Sequence, residues 1–172
     1  MAKVIFISGG ARSGKSRLAE RLAAEFGAPR GYLATGGAGD AEMAERIERH
    51  RARRGSEWQT VEEPLALAAA LREHDGRFRV LLVDCVTLWL TNLLLGSDDG
   101  AGALAEVKEL AALLPQLTTP VILVSNEVGM GIVPDNQLAR RFRDLAGEAN
   151  ELLAAAADEV YVTFSGLPLR LK

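Results

Sequence analysis

The sequence is poor in the residues that form disulfides and many metal sites. Cys85 is its single cysteine, which excludes an internal disulfide and a zinc site built from cysteines. Because Cys85 lies in an apolar run, we expect a buried structural thiol rather than a nucleophile. Histidine is scarce as well. Of the two in the chain, His74 is predicted at an exposed helix end and receives no role, which leaves His50 for any imidazole chemistry.

The chain also lacks a surplus of one charge and a long hydrophobic run. Lys and Arg number 20 and Asp and Glu 23, so the formal net charge is −3. That balance argues against a chain that coats nucleic acid or an anionic membrane by bulk charge. The apolar stretch 80–95 is short for a membrane span and contains polar residues. The run 4–7 is too short for a signal peptide. We therefore expect a cytoplasmic protein with no nucleic-acid partner and no stable membrane insertion.

The residues that are present fit one globular domain over positions 1–172. Apolar residues make up 48% and charged residues 25% of the chain, and its length suffices for a sizeable core. Short apolar runs predict strands at 4–8, 31–35, 57–61, 79–84, 121–125, 160–165 and, as a short edge strand, 169–171. The segments between them predict helices near 15–26, 40–54, 64–73, 86–95, 103–114 and 135–157. This alternation predicts an α/β fold with a mainly parallel sheet flanked by helices, which binds ligands at the carboxyl ends of its strands.

A glycine-rich segment follows the first predicted strand and opens a helix. It matches the pattern G-x-x-x-x-G-K-[ST] and consists of Gly9, Gly10, Ala11, Arg12, Ser13, Gly14, Lys15 and Ser16. Glycines let backbone N–H groups converge on an anion, and the helix N-terminus adds the positive end of its dipole. Lys15 is then expected to reach the β- and γ-phosphates of a nucleotide, and the Ser16 hydroxyl to bind Mg²⁺. A plain turn or a dinucleotide-binding turn is the alternative, but neither explains the Lys15–Ser16 pair.

An acidic residue supports the phosphate-loop interpretation. Asp84 ends a long apolar strand, where such proteins place the carboxylate that holds Mg²⁺ directly or through water. The alternative is that Asp84 caps the following helix. These features predict nucleotide binding without fixing the reaction, so a small-molecule kinase, a motor ATPase or another transferase remains open. The Asn-Lys-x-Asp motif typical of signalling GTPases is absent from the sequence.

The helix predicted at 40–54 carries the remaining histidine. At 100° per residue, His50 projects between an apolar stripe and a cationic stripe, which includes Arg46 and Arg53. Guanidinium groups bind phosphate oxygens in pairs, so this helix end is suited to a polyphosphate. The alternative is a solvated basic helix end. A neutral imidazole placed in line with a phosphorus atom is able to attack it.

Several segments together resemble one enzyme family. Several short segments are similar to the bifunctional adenosylcobinamide kinase / adenosylcobinamide-phosphate guanylyltransferase family: the loop at 9–17, then 32–35, 40–43, 46–47 ahead of His50, 138–140, 155–160 and 165–166. The most specific likeness is Ser-Asn-Glu-Val-Gly-Met-Gly-Ile-Val-Pro at 125–134. The resemblance covers nearly the whole chain at matching spacing.

The resemblance implies two reactions of cobalamin biosynthesis. In the first, ATP or GTP phosphorylates the aminopropanol hydroxyl of adenosylcobinamide. In the second, GMP from GTP is transferred through a covalent guanylyl-histidine to adenosylcobinamide phosphate, giving adenosylcobinamide-GDP and pyrophosphate. The matching histidine is His50, with Lys15 as the second catalytic residue. Mg²⁺ at Ser16 and Asp84 and a homo-oligomer, a trimer, are implied as well.

The resemblance also implies nucleotide contacts beyond the phosphate loop. They fall on Ala34, Thr35, Gly36, Arg51, Ala52, Arg53, Arg54, Glu62 and Asp84. This chain departs from some members, which have two adjacent histidines at 49–50 or a glutamate at position 84. Asn126 and Glu127 are expected to contact the corrinoid or the nucleotide, or else to cap their own loop. Two other functions remain open, a nucleotide-dependent switch or motor and a monofunctional small-molecule kinase.

Overall fold

A computed structural model describes residues 2–36, 55–96 and 102–172. Its strands are β1 Val4–Gly9, β2 Arg30–Ala34, β3 Trp58–Glu62, β4 Val80–Asp84, β5 Val121–Val124, β6 Glu159–Phe164 and β7 Leu167–Arg170. The helices in these ranges are α1 Lys15–Ala24, α2 Leu67–His74, α3 Val86–Leu95, α4 Ala103–Leu113 and α5 Gln137–Ala156, with a 3₁₀ turn at Leu114–Gln116. The helix predicted at 40–54 and most of the acidic loop predicted at 97–102 lie outside the described residues.

The strands form one seven-stranded sheet in the order β3-β2-β4-β5-β1-β6-β7. Every neighbouring pair is parallel except β6 and β7, which form an antiparallel hairpin. The predicted α/β fold with a mainly parallel sheet and a short C-terminal edge strand is therefore confirmed. Because β1 lies between β5 and β6, the loop that follows it emerges with neighbours on both sides.

Helices cover both faces of the sheet, which explains the continuous apolar strands. Val4 and Phe6 of β1 pack into one core together with helix residues such as Trp89. Ile5 and Ile7 point to the opposite face and pack with Leu18 of α1. Successive strand residues face opposite sides, so a strand buried on both faces needs apolar residues throughout.

Two helix boundaries differ from the sequence prediction for a local reason. The helix predicted to begin at Pro64 begins at Leu67, because Glu63 Oε1 accepts hydrogen bonds from the amides of Leu65 and Ala66 and holds a turn there. The last long helix begins at Gln137, where the side chain of the N-cap Asn136 accepts a hydrogen bond from a backbone amide.

The exposure predicted for His74 is wrong. Its ring is half-buried, and its centroid lies 5.9 Å from that of Phe78, which follows the helix end closely enough to cover it. The prediction for Cys85 is confirmed, since its side chain is buried. Within the described ranges, none of the helices has the length and apolar character that a membrane crossing requires.

Candidate functional site

The phosphate loop, residues 9–16, sits between the ends of β5 and β6. Gly9 and Gly14 have φ values of 150° and 99°, which side chains rarely adopt. A Cβ atom on Gly9 would lie 2.5 Å from Thr163 Oγ1, so the close approach of β6 also requires glycine there. Gly14 is the N-cap of α1, and the loop thus leads directly into a helix N-terminus.

Three contacts from neighbouring segments hold the phosphate loop. The hydroxyls of Ser13 and Thr163 form a buried hydrogen bond of 2.6 Å. The amide of Gly166, in the β6–β7 turn, donates to the Ser13 carbonyl at 2.9 Å. On the other side, the amide of Glu127 donates to the Gly9 carbonyl at 2.9 Å. The loop is therefore fixed from both neighbouring strands before any ligand binds.

Lys15 extends back across its own loop. Its ammonium group donates a 2.6 Å hydrogen bond to the Gly10 carbonyl, and the residue is only 8% exposed. The Lys15 side chain is therefore already ordered in the folded protein, so that ligand binding costs it little further rotamer entropy. The geometry places a cation beside the glycine-rich backbone, in agreement with a phosphate-binding role for the loop.

Ser16 and Asp84 come from different elements and meet directly. The Ser16 hydroxyl, at the start of α1, donates a 2.9 Å hydrogen bond to Asp84 Oδ2, at the end of β4. The alternative that Asp84 caps α3 is not seen, because the N-cap is Cys85 and no side chain caps that helix. Among residues 2–36, 55–96 and 102–172 there is no group of three His, Cys, Asp or Glu side chains arranged for a metal.

This oxygen pair fits Mg²⁺ nevertheless. Mg²⁺ in nucleotide sites usually has one or two protein oxygens, and the phosphates and water supply the rest of its octahedron. A hydroxyl and a carboxylate in contact at the mouth of the phosphate loop satisfy that requirement. A larger cluster of acidic ligands is not needed for this type of site.

Buried hydrogen bonds join the ends of β2 and β4. Thr35 Oγ1 donates to the Cys85 carbonyl at 2.6 Å and accepts from the Cys85 amide at 3.0 Å. Burial, together with the nearby charge of Asp84, raises the pKa of the Cys85 thiol to about 11. The thiol therefore stays protonated at neutral pH and is a poor nucleophile, as the sequence predicted.

The predicted contacts on β2 and β3 line up at the same edge. Ala34 is in register with both Glu62 and Asp84. Gly36 lies so close to α3 that a Cβ on it would stand 3.1 Å from Leu88 Cδ1. The remaining predicted residues lie outside the described part of the chain, namely His50, Arg51, Ala52, Arg53 and Arg54.

The loop after β5 is held by a polar network that the sequence did not predict. Ser125 Oγ donates to Asn150 Oδ1 of α5 at 2.6 Å, and Thr87 Oγ1 accepts from the Asn126 amide at 2.7 Å. Glu127 Oε1 accepts from the Gly129 amide at 2.8 Å, so the loop-capping role foreseen for this residue is present. Nothing in the sequence pattern singled out Asn150, which is polar within an apolar helix face.

The same loop exposes an apolar surface. Ile132 is 97% exposed, and Met130 and Val133 are exposed as well. The loop backbone is held in place, because Arg143 donates to the Gly129 carbonyl at 2.8 Å and Arg140 donates to the Pro134 carbonyl at 2.9 Å. Exposed apolar groups on a fixed support are typical of a ligand or partner surface.

Solved structures share this fold at low sequence identity. A KaiC-like protein from Pyrococcus horikoshii matches with a TM-score of 0.51 and 15% identity, over 93% of this chain and 70% of that one. The ATPase EscN of an enteropathogenic E. coli secretion system, solved with its central stalk EscO, matches with a TM-score of 0.56 and 16% identity. That match covers 94% of this chain and 42% of EscN. At such identities the likeness shows the fold alone.

Sequence comparison is far more specific. The bifunctional adenosylcobalamin biosynthesis protein CobP of Pseudomonas aeruginosa is 55% identical over 166 residues, which are 96% of this chain and 95% of that protein. The corresponding protein CobU of E. coli K12 is 42% identical over 98% of this chain and 99% of its own. Residues 5–171 match the model of the family described as cobinamide kinase / cobinamide phosphate guanyltransferase. The chain therefore belongs to the cobinamide kinase / cobinamide phosphate guanyltransferase family.

Proposed function

We propose that this protein is a bifunctional enzyme of cobalamin biosynthesis, which phosphorylates adenosylcobinamide and then transfers GMP to the product. Family membership over residues 5–171 supports both activities. The observation that carries the proposal is the fixed phosphate loop, with the Lys15 ammonium beside its backbone and the Ser16–Asp84 pair at its mouth.

In the kinase step, the aminopropanol hydroxyl of adenosylcobinamide attacks the γ-phosphorus of ATP or GTP. The bond from its oxygen to phosphorus forms, the bond to the β,γ-bridging oxygen breaks, and the hydroxyl proton is released. The phosphate loop and Lys15 hold and neutralise the phosphates, so positioning and charge supply most of the catalysis. Ser16 and Asp84 would hold Mg²⁺, which neutralises further charge on the phosphate oxygens when bound.

In the guanylyl step, an imidazole nitrogen of His50 attacks the α-phosphorus of GTP. The nitrogen–phosphorus bond forms, the bond to the α,β-bridging oxygen breaks, and pyrophosphate leaves. The phosphate oxygen of adenosylcobinamide phosphate then displaces the imidazole and gives adenosylcobinamide-GDP. Ala34, Glu62 and Asp84 share one edge of the sheet and support a nucleotide-binding site there. By resemblance, Thr35, Gly36 and residues 51–54 are proposed as further nucleotide contacts.

The exposed apolar surface formed by Met130, Ile132 and Val133 supports a place for the corrinoid. A corrin ring offers methyl groups and a broad apolar face, and the side chain that reacts must reach the phosphate loop. The backbone contact between Glu127 and Gly9 ties this surface to the loop. Substrate bound there brings its aminopropanol group toward the transferring phosphate.

The whole chain, residues 1–172, is proposed as a single catalytic domain. We further propose a cytoplasmic location, no nucleic-acid partner, and a homo-oligomer that is a trimer by resemblance. Light scattering of the purified protein measures the oligomeric state, and we expect three times the monomer mass of 18.4 kDa.

Covalent labelling tests the proposed mechanism through the histidine. With GTP labelled at the α-phosphate, we expect label to remain on the denatured wild-type protein and to be absent from His50→Ala. His74→Ala is the matched control, because it removes the other histidine, which ends α2 beside Phe78, and it should label normally. Acid should release the label, since phosphorus–nitrogen bonds to imidazole are acid-labile.

Each other outcome contradicts a defined part of the proposal. Label retained on His50→Ala means that another residue is the nucleophile. No label on the wild type, together with phosphorylation of adenosylcobinamide, indicates a monofunctional kinase. Nucleotide turnover that needs a macromolecule and ignores adenosylcobinamide indicates a switch or motor.

A further inference from the structure

An open pocket of about 220 Å³ lies on the flank of the phosphate loop that faces β6 and β7. One wall is the exposed side of α1, and the other is the turn between β6 and β7. Its lining consists of Gly14, Arg17, Leu18, Arg21, Thr163, Gly166 and Pro168. Three of the nucleotide contacts that the resemblance implies, Ala34, Glu62 and Asp84, end β2, β3 and β4, which lie on the opposite flank in the strand order.

The pocket is continuous with the phosphate loop. Gly14 belongs to both, and a Cβ on it would lie 3.2 Å from the Gly166 Cα. This approach is possible because Ser165 and Gly166 turn the chain with φ values of 50° and 84°. The hydrogen bond from the Gly166 amide to the Ser13 carbonyl fixes the turn against the loop. A ligand whose phosphates occupy the loop therefore reaches the pocket without crossing another element.

The side chains in the pocket fit a nucleoside. Arg17 and Arg21 lie one helical turn apart on the exposed face of α1. Arg17 Nη2 stands 3.6 Å from the positions that Cβ atoms of Gly14 and Gly166 would take, so the guanidinium lies over open backbone. Planar guanidinium groups stack on aromatic rings and bind phosphate oxygens in pairs, while Leu18 and Pro168 supply apolar contacts.

The two proposed reactions place different demands on the nucleotide. In γ-phosphoryl transfer the acceptor hydroxyl must reach the terminal phosphorus of the triphosphate. In guanylyl transfer an imidazole must reach the α-phosphorus. With the phosphates anchored in one loop, the nucleoside is free to extend to either flank. A nucleoside seated on one flank leaves the other open for the group that attacks.

We infer that the pocket between α1 and the β6–β7 turn seats the base and ribose of the nucleoside triphosphate in the kinase step, separately from the seat used for guanylyl transfer. Arg17 and Arg21 are its positioning residues. The assignment of separate nucleoside sites to the two reactions rests on the proposed bifunctional activity, but nucleoside binding in the pocket is tested by binding measurements alone.

The test compares ATP with inorganic tripolyphosphate, which has the phosphates and lacks the nucleoside. Calorimetry on the full chain measures the Kd of each ligand with Mg²⁺ for the wild type and for the double variant Arg17→Ala/Arg21→Ala. We expect the Kd for ATP to rise about tenfold more than that for tripolyphosphate, as two stacking cations are together worth about 1.4 kcal/mol. Arg79→Ala is the control, because it removes an exposed arginine at the opposite end of the sheet.

Kinetics then separates the two seats. In the double variant the KM for ATP in the phosphorylation of adenosylcobinamide should rise about tenfold, whereas the GTP concentration that gives half-maximal covalent labelling should stay within twofold. Equal weakening of ATP and tripolyphosphate overturns the inference, since the arginines would then act on phosphates only. Unchanged ATP binding overturns it too. If wild-type protein phosphorylates no adenosylcobinamide, the proposed function fails, while the calorimetric comparison still decides the pocket.

Discussion

At the scale of single residues, the site depends on pairs that the chain separates widely. Ser16 and Asp84 are 68 positions apart, yet the hydroxyl of one donates directly to the carboxylate of the other. The sequence identified both residues separately, from a loop pattern and from an acid at a strand end. Their hydrogen bond replaces the alternative of a helix cap and supports their proposed role as metal ligands.

Asp84→Asn tests this role. Asparagine keeps the size and a hydrogen-bonding oxygen, but it removes the negative charge that attracts a divalent cation. We expect the Mg²⁺ concentration for half-maximal kinase activity to rise about tenfold or more, with the protein still folded. A titration of activity against Mg²⁺ measures the shift, and Asp144→Asn, an exposed change on α5, is the control. An unchanged Mg²⁺ requirement would remove Asp84 from the metal site.

At the scale of elements, the β6–β7 hairpin supports the phosphate loop from behind. The sequence predicted strands here, but it gave no sign that Thr163 and Gly166 contact a loop some 150 residues earlier. Two hydrogen bonds make that connection. One is the buried bond between the hydroxyls of Ser13 and Thr163, and the other runs from the Gly166 amide to the Ser13 carbonyl. The shape of the loop is therefore a property of two elements together.

Thr163→Val should weaken this support. Valine has nearly the same volume, but it leaves the buried Ser13 hydroxyl without its partner, which costs about 1–2 kcal/mol in the free energy of unfolding. Urea unfolding measures the loss. Ser13→Ala/Thr163→Val should recover part of it, because both polar groups are then absent. Strictly additive effects of the two single changes would show that this hydrogen bond does not couple the elements.

At the scale of the whole molecule, an ionic cluster joins the two ends of the described chain. Glu159 at the start of β6 accepts from Lys3 at 2.7 Å and lies 3.3 Å from Arg170 of β7. The hydrogen bond from Lys3 is the chief cause of a lowered pKa for Glu159. A hydrogen bond from Tyr161 and the charges of Lys3 and Arg170 add to it, and burial opposes it. The cluster therefore links Lys3, the residue before β1, to the C-terminal hairpin.

The pH dependence of stability tests this link. Because the pKa of Glu159 is lower in the folded state than its usual 4.5, its stabilisation is present above pH 4.5 and is lost as pH falls through the folded-state pKa. We expect Glu159→Gln to cost about 0.5–1 kcal/mol at pH 7, a difference that disappears in acid. Chemical unfolding at several pH values measures it, with Glu151→Gln on α5 as the control. A difference that persists in acid would contradict the ionic origin.

By itself, the sequence determined the alternation of strands and helices, the phosphate loop and the family. These features follow from local patterns: apolar runs for doubly covered strands, and glycines with Lys15 and Ser16 at fixed spacing. The predicted ends of the described elements differ from the observed ones by only a few residues. At Leu67, for example, the helix begins later than predicted because the Glu63 side chain accepts hydrogen bonds from the preceding amides.

Only the tertiary structure decided which distant residues meet. The contact of Ser16 with Asp84, the support of Ser13 by Thr163 and the pocket beside Arg17 all depend on β1 lying between β5 and β6. Strand order is set by packing and loop connections across the whole sheet, and no local pattern encodes it. The sequence therefore predicted that the loop binds phosphate, whereas the residues that surround the loop are brought to it only by the fold.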